Sequence, residues 1–326
     1  MARLRLFANL REIADTAAVD IDGSTVGDVL DRATEMFGDD FGRALVAAQV
    51  WVDGTQATPE TPVQDGAEIA LIPPVSGGAL AVRSPILAEI GMTGFLIAAL
   101  FAANAVSLQW LSVATVLVGG LWAFDVVGSG EGRGLSVGTA PGLFGVLGGV
   151  LATYRFGAPG MAAATVGVTL LVLMWGLINP YFRSIESISS GIAIGTTVTF
   201  GSASLVLLRL RSEGEAFAFL FVAALAIVVS WLSDRTDMPV LDPLVAMIVA
   251  SITAGAIAGA VWAPDLLNTV AASVAGALAL VAGRNLGMLV RVGGFFVAGP
   301  VPGGLHYLDG LFMASGPFWL LLTILG

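Results

Sequence analysis

The stretch from Ile69 to Val106, IALIPPVSGGALAVRSPILAEIGMTGFLIAALFAANAV, decides how the chain is to be read. It starts as the last strand and tail of a small soluble domain: an apolar run is stopped by Pro73 and Pro74, which cannot donate to a β-ladder, and the tail reaches Gly77 and Gly78. Beyond them Ile86 to Val106 is almost wholly apolar, and about twenty such residues span a bilayer core of about 30 Å. The chain therefore changes physical class here. A soluble head comes first and a membrane part follows, giving domains over residues 1–78 and 86–326 with a linker at 79–85.

Composition agrees with that division. Of 326 residues 56% are hydrophobic and only 12% are charged, too apolar for a single water-soluble globule. The net charge of −10 belongs mostly to the head, where Asp20, Asp22, Asp28, Asp31, Glu35, Asp39, Asp40, Asp53, Glu60, Asp65 and Glu68 crowd the first eighty positions. Such a surface repels nucleic acid and anionic lipid alike, and its simplest role is to keep a small domain in solution. The absence of cysteine excludes disulfides, thiolate metal sites and cysteine nucleophiles. The single histidine is His306, and all 14 basic residues are arginine. The opening MARLRLFANLREIADTAAVDIDG alternates and carries charge, without the apolar core of a signal peptide, so the head is expected in the cytoplasm.

Within the head, ARLRLFANL and AVDIDG alternate as half-buried strands do. Ser24 or Thr25 can cap a helix that places Val26, Val29, Leu30, Ala33 and Phe37 on one face. AAQVWVDG reads as a strand ending in an Asp53-Gly54 turn, and DGAEIALIPPV as the final strand. Two strands, a helix and further strands predict an α+β, ubiquitin-like β-grasp.

On LFANLRE, on TPVQDGAEIALIPPVSGG and on the spacing between them, residues 1–78 resemble the MoaD/ThiS sulfur-carrier proteins. The resemblance implies that a partner enzyme adenylates a terminal glycine carboxylate, which then becomes a thiocarboxylate; a side-chain-free tail can thread the partner's narrow site. Gly77 and Gly78 correspond to those carrier glycines. Gly78 is in a peptide bond to Ala79, so carriage requires a protease that cuts there. The alternative is a retained interaction domain with a Gly-Gly linker.

In the second part, apolar stretches near 86–106, 110–127, 137–156, 161–181, 191–210, 216–233, 240–262, 269–290 and 308–325 predict an all-α polytopic membrane domain of about nine spans. The seventh and eighth are rich in small residues, which favours close helix packing. With the head inside, Arg83, Arg133, Arg183, Arg235, Arg284 and Arg291 fall on the cytoplasmic side and Arg155, Arg209 and Arg211 outside. The expectation is a multi-pass protein of the cell (inner) membrane, with the lipid bilayer as its partner and the C-terminus outside.

Ionisable groups at membrane depth are costly and usually functional. Glu89, Asp125, Asp234, Asp237, Asp242, Arg284, Arg291, His306 and Asp309 qualify, most of them at helix ends where solvation makes them unremarkable. Asp234 and Asp309, at the inner ends of two spans, could share a magnesium ion. A second resemblance, thin and spread over about 85–326, is to the phosphatidate cytidylyltransferases, or CDP-diacylglycerol synthases. It rests on LRLRSEGEAFAFLFVAALAIVVSWLSD, on the Pro-Gly before Asp309 and on LDGLFMASGPFW. It implies CTP and phosphatidate as substrates, a divalent metal and a homodimer. Ser233 and Asp234 correspond to the family's Ser-Asp, Gly283 to the glycine of its Gly-Asp pair, Arg291 to a basic residue, and Pro302, Gly303 and Asp309 to parts of its signature. The departures are large. Phe295 and Phe296 stand where the family has Lys-Asp, Arg284 replaces an aspartate, Gly310 replaces the signature arginine, and no lysine can compensate. His306, alone in a glycine-rich segment, reads as a hydrogen-bonded structural group. Three readings follow: a noncatalytic or strongly altered relative that anchors the head; an active cytidylyltransferase using Asp234, Asp309 and Arg291; and a transporter, for which no inverted repeat is seen.

Overall fold

The alternation of ARLRL becomes β1 (Ala2–Leu6), in which Ala2, Leu4 and Leu6 are buried while Arg3 and Arg5 face solvent. The expected strand stops there. ANLREIA instead forms a short helix, α1 (Ala8–Ala14), because turning the backbone after Leu6 brings Leu10 into the core, where it is fully buried. Then come β2 (Ala18–Ile21), α2 (Val26–Phe37), β3 (Gln49–Val52), a two-residue β4 (Thr55–Gln56) and β5 (Glu68–Ile72). This computed structural model describes residues 2–6, 8–14, 16–38, 41–42, 45, 49–64, 66–72, 86–132, 135–233, 242–263, 265–295 and 301–326. The tail glycines Gly77 and Gly78, the linker and Asp234 lie outside the described residues.

The strands make one sheet in the order β2-β1-β5-β3-β4, with β1 and β5 parallel at its centre and the other pairs antiparallel. The pleat sends Leu4, Leu6, Ile69 and Leu71 to one face, where they meet Val29 and Ala33 of α2 and the ring of Phe41. Thr25, not Ser24, caps α2. Its hydroxyl accepts from the Asp28 N–H at 3.2 Å, while the Asp28 carboxylate accepts from the Thr25 N–H at 3.2 Å, so two orphan donors of the first turn are satisfied reciprocally. The β3–β4 turn is Asp53-Gly54, both at positive φ (49° and 81°), and the Asp53 carboxylate also accepts from the Glu68 N–H at 2.9 Å. The chain divides into two compact units, Met1–Leu80 and Ala81–Gly326.

The second unit is helical among its described residues: α3 (Ile86–Val106), α4 (Leu108–Glu131), α5 (Thr139–Phe156), α6 (Ala158–Ile178), α7 (Ile185–Arg211), α8 (Glu213–Ser233), α9 (Pro243–Val261), α10 (Leu266–Val292) and α11 (Asp309–Leu325). Among the described residues seven stretches of helix are long and apolar enough to cross a membrane, which is consistent with a membrane protein. α7 runs through the interior, buried at every residue from Gly201 to Leu208. Small residues set the closest approaches. A Cβ on Gly149 of α5 would lie 2.9 Å from Thr199 Cγ2 of α7, and one on Gly255 of α9 would lie 2.5 Å from Ser273 Cβ of α10. The small-residue character of the seventh and eighth expected spans thus serves packing. Gly283 of α10 lets the start of α11 lie close: a Cβ there would sit 2.8 Å from the Asp309 carbonyl.

Candidate functional site

The last turn of α10 and the first turn of α11 bring Arg291 and Asp309 together. Both stand at helix ends, yet they are 1% and 2% exposed, which corrects the expectation that such positions are solvated. Arg291 grips the Asp309 carboxylate with two donors, Nε to Oδ2 at 3.0 Å and Nη2 to Oδ1 at 2.9 Å. Trp122 of α4 adds a third, its Nε1–H donating to Oδ1 at 2.8 Å. The other guanidinium nitrogen turns to α4, where Nη1 donates to Asp125 Oδ2 at 2.7 Å and to Ser129 Oγ at 2.8 Å; it also reaches the Pro302 carbonyl at 3.1 Å.

The segment before α11 is tied to the same cluster. Asp125 accepts from the Gly304 N–H at 2.9 Å and the Leu305 N–H at 3.2 Å. Gly303 adopts φ +98°, and a Cβ there would strike Arg291 Nη1 and lie 2.7 Å from Asp125 Oδ2, so the loop closes at this point only with glycine. Burying a guanidinium without partners would be prohibitive; two carboxylates and two further oxygens compensate it. Two acids and one base leave one excess negative charge, met by the Trp122, Gly304 and Leu305 N–H groups.

Beside this cluster lies a small cavity of about 20 Å³, lined by residues of α8, α9, α10 and α11. Its lining is mixed, with Ser230, Arg284, His306 and Asp309 beside apolar residues such as Leu280 and Met288. Arg284 Nη1 donates to Ser230 Oγ. His306 Nδ1 lies 2.9 Å from the Gly303 carbonyl, which can only accept, so Nδ1 carries the proton.

Of the residues singled out in the sequence, Arg291, Pro302, Gly303 and Asp309 meet in one cluster and His306 lies against it. Ser233 ends α8, and Ser230, one turn earlier, is the serine that lines the cavity. The expected partner of Asp309, Asp234, falls outside the described residues, as do the carrier glycines Gly77 and Gly78. The surroundings of Asp309, among the described residues, do not fit a magnesium ion, because Oδ1 already accepts from Arg291 and Trp122 and Oδ2 from Arg291. Among the described residues no group of three or more His, Cys, Asp or Glu side chains is placed to hold a metal. Trp122 and Ser129 are partners that sequence reading did not single out, and Asp125 was among its candidate ionisable groups without an assigned partner. Their spacing, i, i+3 and i+7 in LWAFDVVGS, puts them on one helix face, and an aspartate inside an apolar run was the available signal.

The head defines a class by its fold, a small ubiquitin-like β-grasp sheet with α2 on one face. Residues 4–78 match the model of the ThiS family, and through this domain the chain belongs to that family. It is 41% identical over 85 residues to small archaeal modifier protein 1 of Haloferax volcanii, a match covering 23% of this chain and 97% of that protein. The crystal structure of SAMP1 from Haloferax volcanii matches at 38% identity, covering 24% of this chain and 98% of that one, with a TM-score of 0.20.

Proposed function

We propose that this chain presents a ThiS-family carrier or modifier domain on a polytopic membrane anchor, and that the anchor is a divergent, noncatalytic relative of the phosphatidate cytidylyltransferases. The observation that carries the reading is the extent of the family match, which runs from Leu4 to Gly78 and so takes in the paired glycines. A modifier or carrier of this kind works through its terminal carboxylate. Hydrolysis of the bond between Gly78 and Ala79 would release a head ending in a free carboxylate that an adenylating enzyme can activate. Arginine placement favours a cytoplasmic head, within reach of such an enzyme and of a protease. The altered positions in the anchor, above all Arg284 and Gly310, support the noncatalytic assignment, because phosphoryl-type transfer needs cations and metal gathered around the phosphates.

Intact-mass analysis of cytosol and membrane fractions tests the carrier. A soluble fragment ending in Gly78 is expected. Only full-length protein, all of it in the membrane, would make the glycines a linker and the head a tethered interaction domain.

One observation favours a second reading. The small cavity beside Asp309 gathers Ser230, Arg284 and His306 together with apolar side chains, so an active phosphatidate cytidylyltransferase with a divergent site stands as the alternative. Purified protein with CTP, magnesium and phosphatidate separates the two: CDP-diacylglycerol formation that disappears in Asp309→Ala would replace the noncatalytic reading with this one.

A further inference from the structure

Arg291 Nη1 is enclosed by oxygen: a carboxylate from Asp125 at 2.7 Å, a hydroxyl from Ser129 at 2.8 Å and a carbonyl from Pro302 at 3.1 Å. The rest of the same guanidinium holds the Asp309 carboxylate at 2.9 and 3.0 Å. Carboxylate, hydroxyl and carbonyl oxygens without nitrogen or sulfur are the donor set that hard divalent cations take. Here the charge at the centre is covalently part of the chain.

We propose that Arg291 is the resident cation of an oxygen-lined site, and that it holds Asp125 and Asp309 together while shutting small divalent cations out of the membrane unit. Three facts carry this. An entering ion would have to displace a bidentate, charge-assisted pair whose two members are both buried. It would meet the guanidinium at contact distance, where like charges repel most in a poorly screened interior. It would also find no space on the loop side, because Gly303 already packs against Nη1 and a methyl group there would collide with it. The two carboxylates also accept N–H groups from Trp122, Gly304 and Leu305, which occupy further oxygen positions an ion would need. The inference rests on this cluster alone and is independent of what the head carries.

Manganese(II) alone is the probe, titrated into the full chain in detergent and read by electron paramagnetic resonance. The acidic head contributes weak sites in every variant, so the comparison is between variants of the same chain. Wild type and Asp309→Asn are expected to bind the same number of ions; a site present in wild type and missing in Asp309→Asn overturns the proposal. Arg291→Met removes the charge and leaves the oxygens. It is expected to gain one manganese ion per chain and an unfolding midpoint that rises by several degrees with manganese, whereas the wild-type midpoint does not move. Arg291→Met combined with Asp309→Asn is expected to lose that gain. A folded Arg291→Met that binds no more manganese than wild type overturns the proposal. If Arg291→Met purifies only as aggregate, comparing wild type with Asp309→Asn and with Asp125→Asn decides it.

Discussion

At the scale of single residues, the Asp309 carboxylate is the point on which three helices converge, and each contact makes a separate prediction. Trp122→Phe keeps an aromatic ring beside Phe312, whose centroid lies 5.4 Å from that of Trp122, but removes the N–H that reaches Asp309 and part of the buried indole. An expected loss of about 1–3 kcal/mol from the acceptor left short of a donor, with a further contribution from the vacated volume, should appear as a lower denaturation midpoint in detergent. Gly287→Ala is the harsher change, because its Cβ would collide with the Asp309 carboxylate and lie 2.7 Å from the Asp309 Cβ. With α10 and α11 both packed, the ion pair has to give way, and a loss of about 3 kcal/mol or more is expected, the size of breaking a buried pair. If Gly287→Ala unfolds at the wild-type midpoint, the two helix ends are not held as closely as described.

At the scale of elements, the cap of α2 sets the acid response of the head. Asp28 is held below the usual carboxylate value, first by the Ser24 hydroxyl, then by the Ser24 and Thr25 N–H groups, with burial opposing weakly. A carboxylate lowered on folding contributes stability that is present above its unfolded value, about 3.9, and is lost as pH falls through the lower folded value. Stability of the separately expressed 1–78 head is therefore expected to decline as pH drops below about 5, and Asp28→Asn to flatten that decline. A chemical-denaturation series across pH reads both, and equal slopes for the two proteins would rule the cap out as the cause. Thr25→Ala, at neutral pH, removes the hydroxyl acceptor and should cost about 1 kcal/mol. By contrast the Arg5–Glu68 pair at 3.0 Å is about half exposed on both sides, so Arg5→Ala should change stability by well under 1 kcal/mol.

For the whole molecule, the two units have separate hydrophobic cores, one around Leu4, Ile69 and Leu71 and the other around Leu208, Phe219 and Phe318. A domain with its own closed core can fold without its neighbour. Residues 1–78 expressed alone are therefore expected to give a cooperative thermal transition, together with the dispersed amide spectrum of a β-grasp. An unfolded fragment would mean that the head depends on the rest of the chain, and would weaken the release of a free carrier.

The sequence by itself determined the strands at both ends of the head, the capped helix between them and the positions of the apolar helices. All of these rest on periodicity and stop signals acting over a few residues, and such short-range physics is written locally. It missed α1 because the alternation of ARLRL runs on into FANL, and only the core's demand for Leu10 bends the chain there. Tertiary structure alone decided what Arg291 does. Its partner Asp125 lies 166 residues away in sequence, and Trp122 lies 187 residues from Asp309. No local pattern records which distant helix face will be brought to a buried charge. The same sequence that made Asp309 look like a metal ligand also contained Arg291, and only the packing of α4, α10 and α11 put the two in contact.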